Sequence, residues 1–145
     1  MTAKFTLVLG AMLLATVRPA GAQRFMYTGM RDADVLAFVS KLQKAVGAGD
    51  RAGVSGMVRY PLRVNHSPQK HDMIATPAEL LKQYDAIFTP KIRQSIVKQT
   101  PDRLTGGKDG VAIDAGIVWV NSTCDRSQPP KCKLGVSSVN LHESK

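Results

Sequence analysis

The sequence predicts an α+β domain, with its helices packed on one face of an antiparallel sheet. Two observations carry this. Apolar residues recur at three- and four-residue intervals through most of residues 32–100, and they alternate singly through most of residues 111–141. Helices first and long strands last, with one short strand between them, segregate to the two sides of a layered fold instead of forming repeated parallel units.

Residues 1–22 stand outside that pattern. Lys4 precedes an apolar run over residues 5–17, and Ala20-Gly21-Ala22 follows Pro19. A cation, a short apolar segment and small residues at a cleavage position make a secretory signal peptide. The run is well short of the roughly 20 residues that span a bilayer. Cleavage after Ala22 leaves Gln23 as the first residue. The expected organisation is therefore a signal over residues 1–22, an N-terminal extension over 23–31, and a single domain over 32–145. The mature chain is expected to be periplasmic or secreted, with no transmembrane segment.

From Asp32 onward, Val35, Phe38, Val39, Leu42, Ala45 and Val46 share one helical face and Lys41, Gln43 and Lys44 the other. Gly47 and Gly49 end this helix, and Asp50 caps a shorter one running through Val58. Tyr60-Pro61 closes the second helix, and residues 62–65 alternate as a half-buried strand. Ser67-Pro68-Gln69-Lys70 is a turn. Thr76-Pro77-Ala78-Glu79 combines an N-cap hydroxyl, a proline at the first helical position and a capping-box carboxylate. Leu80, Leu81, Tyr84, Ile87 and Phe88 form the buried face of that helix. Thr89-Pro90 repeats the device and starts another helix, with Ile92, Ile96 and Val97 inward, closed by Thr100-Pro101. After the glycine-rich turn at residues 106–110, residues 111–120 read as one long strand, with Gly116 a bulge or bend. Residues 134–141 return antiparallel to it.

Charge and cysteine content narrow the partners. The whole chain carries a net charge of +9. Lys4 and Arg18 fall within the signal, so residues 23–145 carry +7. These cations are scattered singly, with no run that would track a phosphate backbone, and a nucleic-acid partner is not expected. Outside the membrane, a basic chain is drawn to anionic envelope components by a long-range, salt-sensitive attraction. Cys124 and Cys132 enclose a polar, proline-rich loop between two strand-like stretches, which reads as a hairpin-tip disulfide. The pair is too widely spaced for C-x-x-C redox chemistry and supplies too few ligands for zinc.

The order of helix pair, strand, helix pair and terminal meander has a counterpart. Together with "LQKAVGAGDRAGVSGMVRYPLRV", "LLKQYDAIFTPKI" and "GVAIDAGIVWV", it resembles the nuclear transport factor 2-like superfamily, which includes ketosteroid isomerase-like enzymes, and in particular its small exported bacterial members. The resemblance covers roughly residues 32–141. It implies a strongly curved antiparallel sheet wrapped around the helices as a cone-like α+β barrel, whose interior holds a ligand or an active site. Its motifs are structural and assign no catalyst.

Templates for catalysis fail on residue content. Gly53-Val54-Ser55-Gly56 is not a nucleophile elbow, and Gly106-Gly107-Lys108-Asp109 precedes a strand and lacks the spacing of a phosphate loop. His66 and His71, with Asp72, lie in a loop without a third metal ligand. No cofactor and no metal are expected. Asp114 lies inside the apolar strand, on the face of Ala112, Val118 and Val120 and opposite Val111, Ile113, Ile117 and Trp119. If that face lines the cone, a carboxylate in an apolar pocket would act as a general base. Tyr60 and Tyr84 are candidate hydrogen-bond donors, Asp85 a partner for Lys82 or another nearby cation, and Trp119 a core or ligand-contacting side chain.

With a complete fold pattern and no catalytic set, the leading expectation is a non-enzymatic binding or interaction domain. It would use Tyr60, Tyr84, Asp114 and Trp119 around a small apolar or amphipathic ligand, or dimerise through its sheet. The alternatives are a small isomerase, dehydratase or hydrolase with Asp114 as base, and an electrostatic partner of the anionic envelope.

Overall fold

The first helix, α1 (Asp32–Gly47), buries Val35, Val39, Leu42 and Val46 along the expected stripe. The computed structural model describes residues 24–25 and 28–142, so the expected signal peptide lies outside the described residues. Among the described residues no helix is long and apolar enough to cross a membrane. Within residues 23–31, Phe25 and Met30 are buried with the core. The Asp32 carboxylate accepts hydrogen bonds from the backbone N–H groups of Arg24 and Phe25, at 2.9 and 3.1 Å, and docks that segment at the start of α1. A positive φ of 67° at Gly49 turns the chain into α2 (Arg51–Gly56), where the Asp50 carboxylate caps the Gly53 N–H at 2.8 Å.

Two local expectations change here. The helix ends at Gly56 instead of Val58, and Tyr60 and Pro61 lie inside strand β1 (Val58–Asn65), not at a helix end. Apolar and polar residues alternate along β1, burying Leu62 and Val64 and exposing Arg63. It pairs with β2 (His71–Ile74), an antiparallel edge strand where the sequence predicts none. Only Ile74 of β2 is buried, so it carries no apolar alternation to reveal it.

The capping-box helix is broken at Gln83 into α3 (Pro77–Lys82) and α4 (Tyr84–Ile87). Thr76 caps the Glu79 N–H as expected, while the Glu79 carboxylate accepts from Ala75 N, one residue ahead of the cap. Thr89 caps α5 (Pro90–Lys98) through the Ile92 N–H. Leu80, Tyr84, Ile87, Phe88, Ile92 and Ile96 are buried, but Leu81 and Val97, expected to face inward, are exposed.

The largest correction falls on residues 111–120. They form not one strand but two, β4 (Gly110–Ile113) and β5 (Val118–Cys124), folded into an antiparallel hairpin across a tight turn at Asp114–Gly116. The three turn residues have φ of 46°, 55° and 92°, a left-handed run that no strand accommodates. The reversal also overturns the parity reading: Val111 pairs with Val120 and Ile113 with Val118 on the buried face, and Trp119 pairs with Ala112 on the other.

With β3 (Thr105–Gly107) and β6 (Cys132–Asn140), the sheet has the order β2-β1-β6-β5-β4-β3. Neighbouring strands are antiparallel except β1 and β6, which are parallel, so the sheet is mixed rather than wholly antiparallel. It does not close into a barrel, since β2 and β3 are its two edges. A parallel partner needs a long crossover, which α3 to α5 and the following hairpin provide. Two rows of β-branched residues cross the buried face: Ile113, Val118, Val139 and Val64, and then Val111, Val120, Val136 and Val58. They share one core with the α1 stripe, Ile92 and Ile96. Burying each such side chain contributes about 1.5–3 kcal/mol, the main source of cohesion.

Polar contacts fix how these layers meet. The Gln43 side-chain amide on α1 donates to the terminal carbonyls of α5, Ile96 O at 3.0 Å and Gln99 O at 2.7 Å, in place of a C-cap. Buried Gln99 in turn accepts from Asp114 N at 2.7 Å, holding the β4–β5 turn. At the far end, Cys124 and Cys132 form the expected disulfide, joining directly paired residues of β5 and β6. A ring this short is worth about 2.5 kcal/mol in the chain-entropy account.

Opposite substitutions test the hairpin. Gly110 has φ of 116°, and a Cβ there would lie 2.4 Å from Val120 O, so Gly110→Ala should lower stability by about 3 kcal/mol. Ala115→Gly relieves a left-handed alanine and should raise it by up to about 1 kcal/mol. Urea-denaturation midpoints read both; equal effects of one sign would contradict the turn.

Candidate functional site

The residues singled out from sequence do not meet in one cavity. Tyr60 is half-buried, its hydroxyl 2.9 Å from Ser55 Oγ and donating to Ser55 O at 3.1 Å, an internal brace between β1 and α2. Burial raises its phenol pKa, partly offset by the Ser55 hydrogen bond. Tyr84 is a core residue stacked on Phe88 with ring centroids 5.1 Å apart, and the Arg51 guanidinium lies 5.1 Å from its ring centre. Its hydroxyl is buried without a hydrogen-bond partner among the described residues, and burial pushes its pKa up against the pull of Arg93 and Arg51. Asp85 pairs with Arg51 at 2.8 Å and Arg93 at 3.2 Å, not with Lys82. Trp119 is half-exposed on the outer sheet face, against the Asp114–Gly116 turn.

Asp114 lies in the hairpin turn and lines a polar depression of about 240 Å³ with Lys91, Gln94, Lys98, Gln99 and Arg103. That setting is lined by three cations and differs from the apolar pocket expected around Asp114. Tyr60, Tyr84 and Trp119 line no part of it. His66 and His71 also find local partners. His66 Nε2 is 2.7 Å from the Asp72 carboxylate, and His71 Nδ1 is 3.3 Å from Arg63 across the β1–β2 pair. Among the described residues there is no group of three or more His, Cys, Asp or Glu side chains able to hold a metal.

The larger concavity lies elsewhere, in a groove of about 750 Å³ between α1, the end of α2 and the start of β6. This volume is within the range of about 300–1,000 Å³ for small-molecule sites. One wall is the stripe Asp34, Ala37, Phe38 and Lys41, spaced at i, i+3, i+4 and i+7 beside the buried stripe of α1. The opposite wall is Pro130, Cys132, Lys133 and Leu134, so the disulfide anchors that side. Met30 and Met57 are buried beneath, and Phe38 and Leu134 are half-buried along the sides. The groove thus combines buried and half-buried apolar side chains with exposed charged ones.

The charges are not equivalent. Arg31 grips Asp34 with both ends of its guanidinium fork, Nε donating at 2.7 Å and Nη2 at 2.9 Å. That hydrogen bond and the carboxylate's charge raise the Arg31 pKa. Among the described residues, no hydroxyl, amide or imidazole side chain lines the groove. Such a lining holds a ligand by apolar contact and rim charge. Sequence reasoning missed it by placing Phe38 wholly in the core. The available signal was its position between Asp34 and Lys41 on a second, half-polar stripe.

Compared with protein-family models, curated proteins and solved structures, the chain matches none of them.

The unpartnered phenol gives a test of the core role of Tyr84. Tyr84→Phe removes a buried, unsatisfied hydroxyl and keeps the ring contacts, so stability should rise by about 1 kcal/mol. A fall in the urea midpoint would show that the hydroxyl has a partner.

Proposed function

We propose that this chain is an exported, non-enzymatic binding domain whose groove between α1 and β6 takes a small amphipathic or apolar ligand. The groove itself carries the reading, with buried Met30 and Met57 below Phe38 and Leu134, and charge only at the rim. Apolar lining with few polar groups is how small-molecule sites gain affinity. Asp34, the only carboxylate of the groove among the described residues, is occupied by Arg31, which argues against acid–base chemistry there.

Two further parts of the reading have separate support. The Cys124–Cys132 disulfide suits an oxidising compartment, as the signal-like residues 1–22 require. Membership of the nuclear transport factor 2-like superfamily is supported by the order α1, α2, β1–β2, α3 to α5 and the β3–β6 meander. In this reading the sheet curves around the helices, and the groove is its mouth.

A neutral fluorophore, N-phenyl-1-naphthylamine, tests the groove without involving charge. Saturable one-to-one fluorescence enhancement is expected, weakened at least about tenfold by Ala37→Trp, which fills the groove from an exposed helix position. Unsaturable enhancement, or binding indifferent to that substitution, would overturn the reading. For export, the protein recovered from the producing cell's envelope or medium should begin at Gln23 by intact mass; an uncleaved chain would refute it.

A further inference from the structure

We propose that the ligand of the groove is a single-chain amphiphile with an anionic head, such as a free carboxylate-bearing alkyl chain, held by Lys41 and Lys133. This rests on the groove being a ligand site. Among the described residues the lining carries three cations, Arg31, Lys41 and Lys133, and one carboxylate, Asp34, a net +2. Arg31 and Asp34 satisfy each other at 2.7 and 2.9 Å, so the excess charge resides on Lys41 and Lys133. Neither lysine forms an ion pair with a described residue, and both are exposed. One stands on α1 and the other on β6, on the two walls of the groove.

The interior selects the remainder of the molecule. A sugar, nucleotide or peptide backbone needs hydrogen-bonding groups along its length to replace its water, and among the described residues the hydrogen-bonding side chains of the lining are the four charged ones, Arg31, Asp34, Lys41 and Lys133. An alkyl chain needs none. Two methionines, Met30 and Met57, are the buried residues of the lining, and their unbranched, polarisable side chains conform to a flexible chain. Lysines suit the rim for the same physical reason: their methylene stems lie along apolar surface while the ammonium group stays hydrated beside an anionic head. A cationic head would meet the excess charge as repulsion, and a neutral head would gain nothing from it.

Decanoate, decanol and decyltrimethylammonium share a tail and differ in charge, so calorimetric titration of the full chain below their micellar concentrations separates the terms. Decanoate should bind about tenfold more tightly than decanol and decyltrimethylammonium more weakly than either, as expected for two exposed charge contacts. The double substitution Lys41→Gln and Lys133→Gln should reduce decanoate to the affinity of decanol while leaving decanol unchanged. Phosphatidylglycerol vesicles form the second arm and should not compete for the site as effectively as monomeric decanoate.

Equal affinities for the three amphiphiles, or a decanoate preference that survives the double substitution, would overturn the proposal. So would vesicle binding without binding of monomeric decanoate. If N-phenyl-1-naphthylamine still binds in a manner sensitive to Ala37→Trp, the groove stands and only the anionic head falls. If neither that probe nor decanol binds, both fall together.

Discussion

The fold depends on a reversal of three residues, Asp114–Gly116. There the backbone turns left-handed and sends β5 back along β4, so that Val111 and Ile113 meet Val120 and Val118 across the buried face. Left-handed backbone is cheap at glycine and tolerable at aspartate, but costs an alanine roughly 1–2 kcal/mol. Surrounding bonds hold it in place. Gln99 accepts from the Asp114 N–H at 2.7 Å, and the Asn140 amide donates to Gly116 O at 2.6 Å. Without the turn, Val111 and Ile113 would continue past the sheet edge, and neither cross-sheet row would be complete.

Gln99 links this turn to the helices. The Gln43 amide reaches from α1 to the carbonyl of Gln99, so α1, the end of α5 and the β4–β5 turn share one chain of hydrogen bonds. Because α1 is fixed by that chain and by its buried stripe, its neighbouring stripe of Asp34, Ala37, Phe38 and Lys41 is held facing β6. The disulfide fixes the other wall by pinning the tip of β5 and β6. The groove is therefore made by two rigid elements of distant sequence, which suits a site that binds by shape and apolar contact.

Legibility followed the strength of local physics. The caps at Thr76 and Thr89, the α1 stripe and the Cys124–Cys132 bridge are short-range devices, and each stands where the residues place it. Strand β2 was invisible because three of its four residues are exposed, and an edge strand needs no apolar alternation. The 111–120 segment misled because alternation persists through a turn: Val111 and Ile113 are apolar whether the chain runs straight or folds back. The site was the least legible, for Asp114 drew attention as a charge in an apolar strand that the structure divides at that residue.

By itself the sequence determined the α+β class, the helix boundaries set by capping residues, the basic balance of the chain and the cysteine pair at a hairpin tip. Each rests on neighbours within a few positions, where hydrogen bonding and periodicity act without reference to the rest of the chain. Only the tertiary structure decided that β1 lies parallel to β6, that residues 111–120 form a hairpin, and that Lys41 faces a groove shared with Lys133. Those facts join residues far apart in the chain, and what selects them is the burial of both cross-sheet rows against α1 at once, a condition no local window contains.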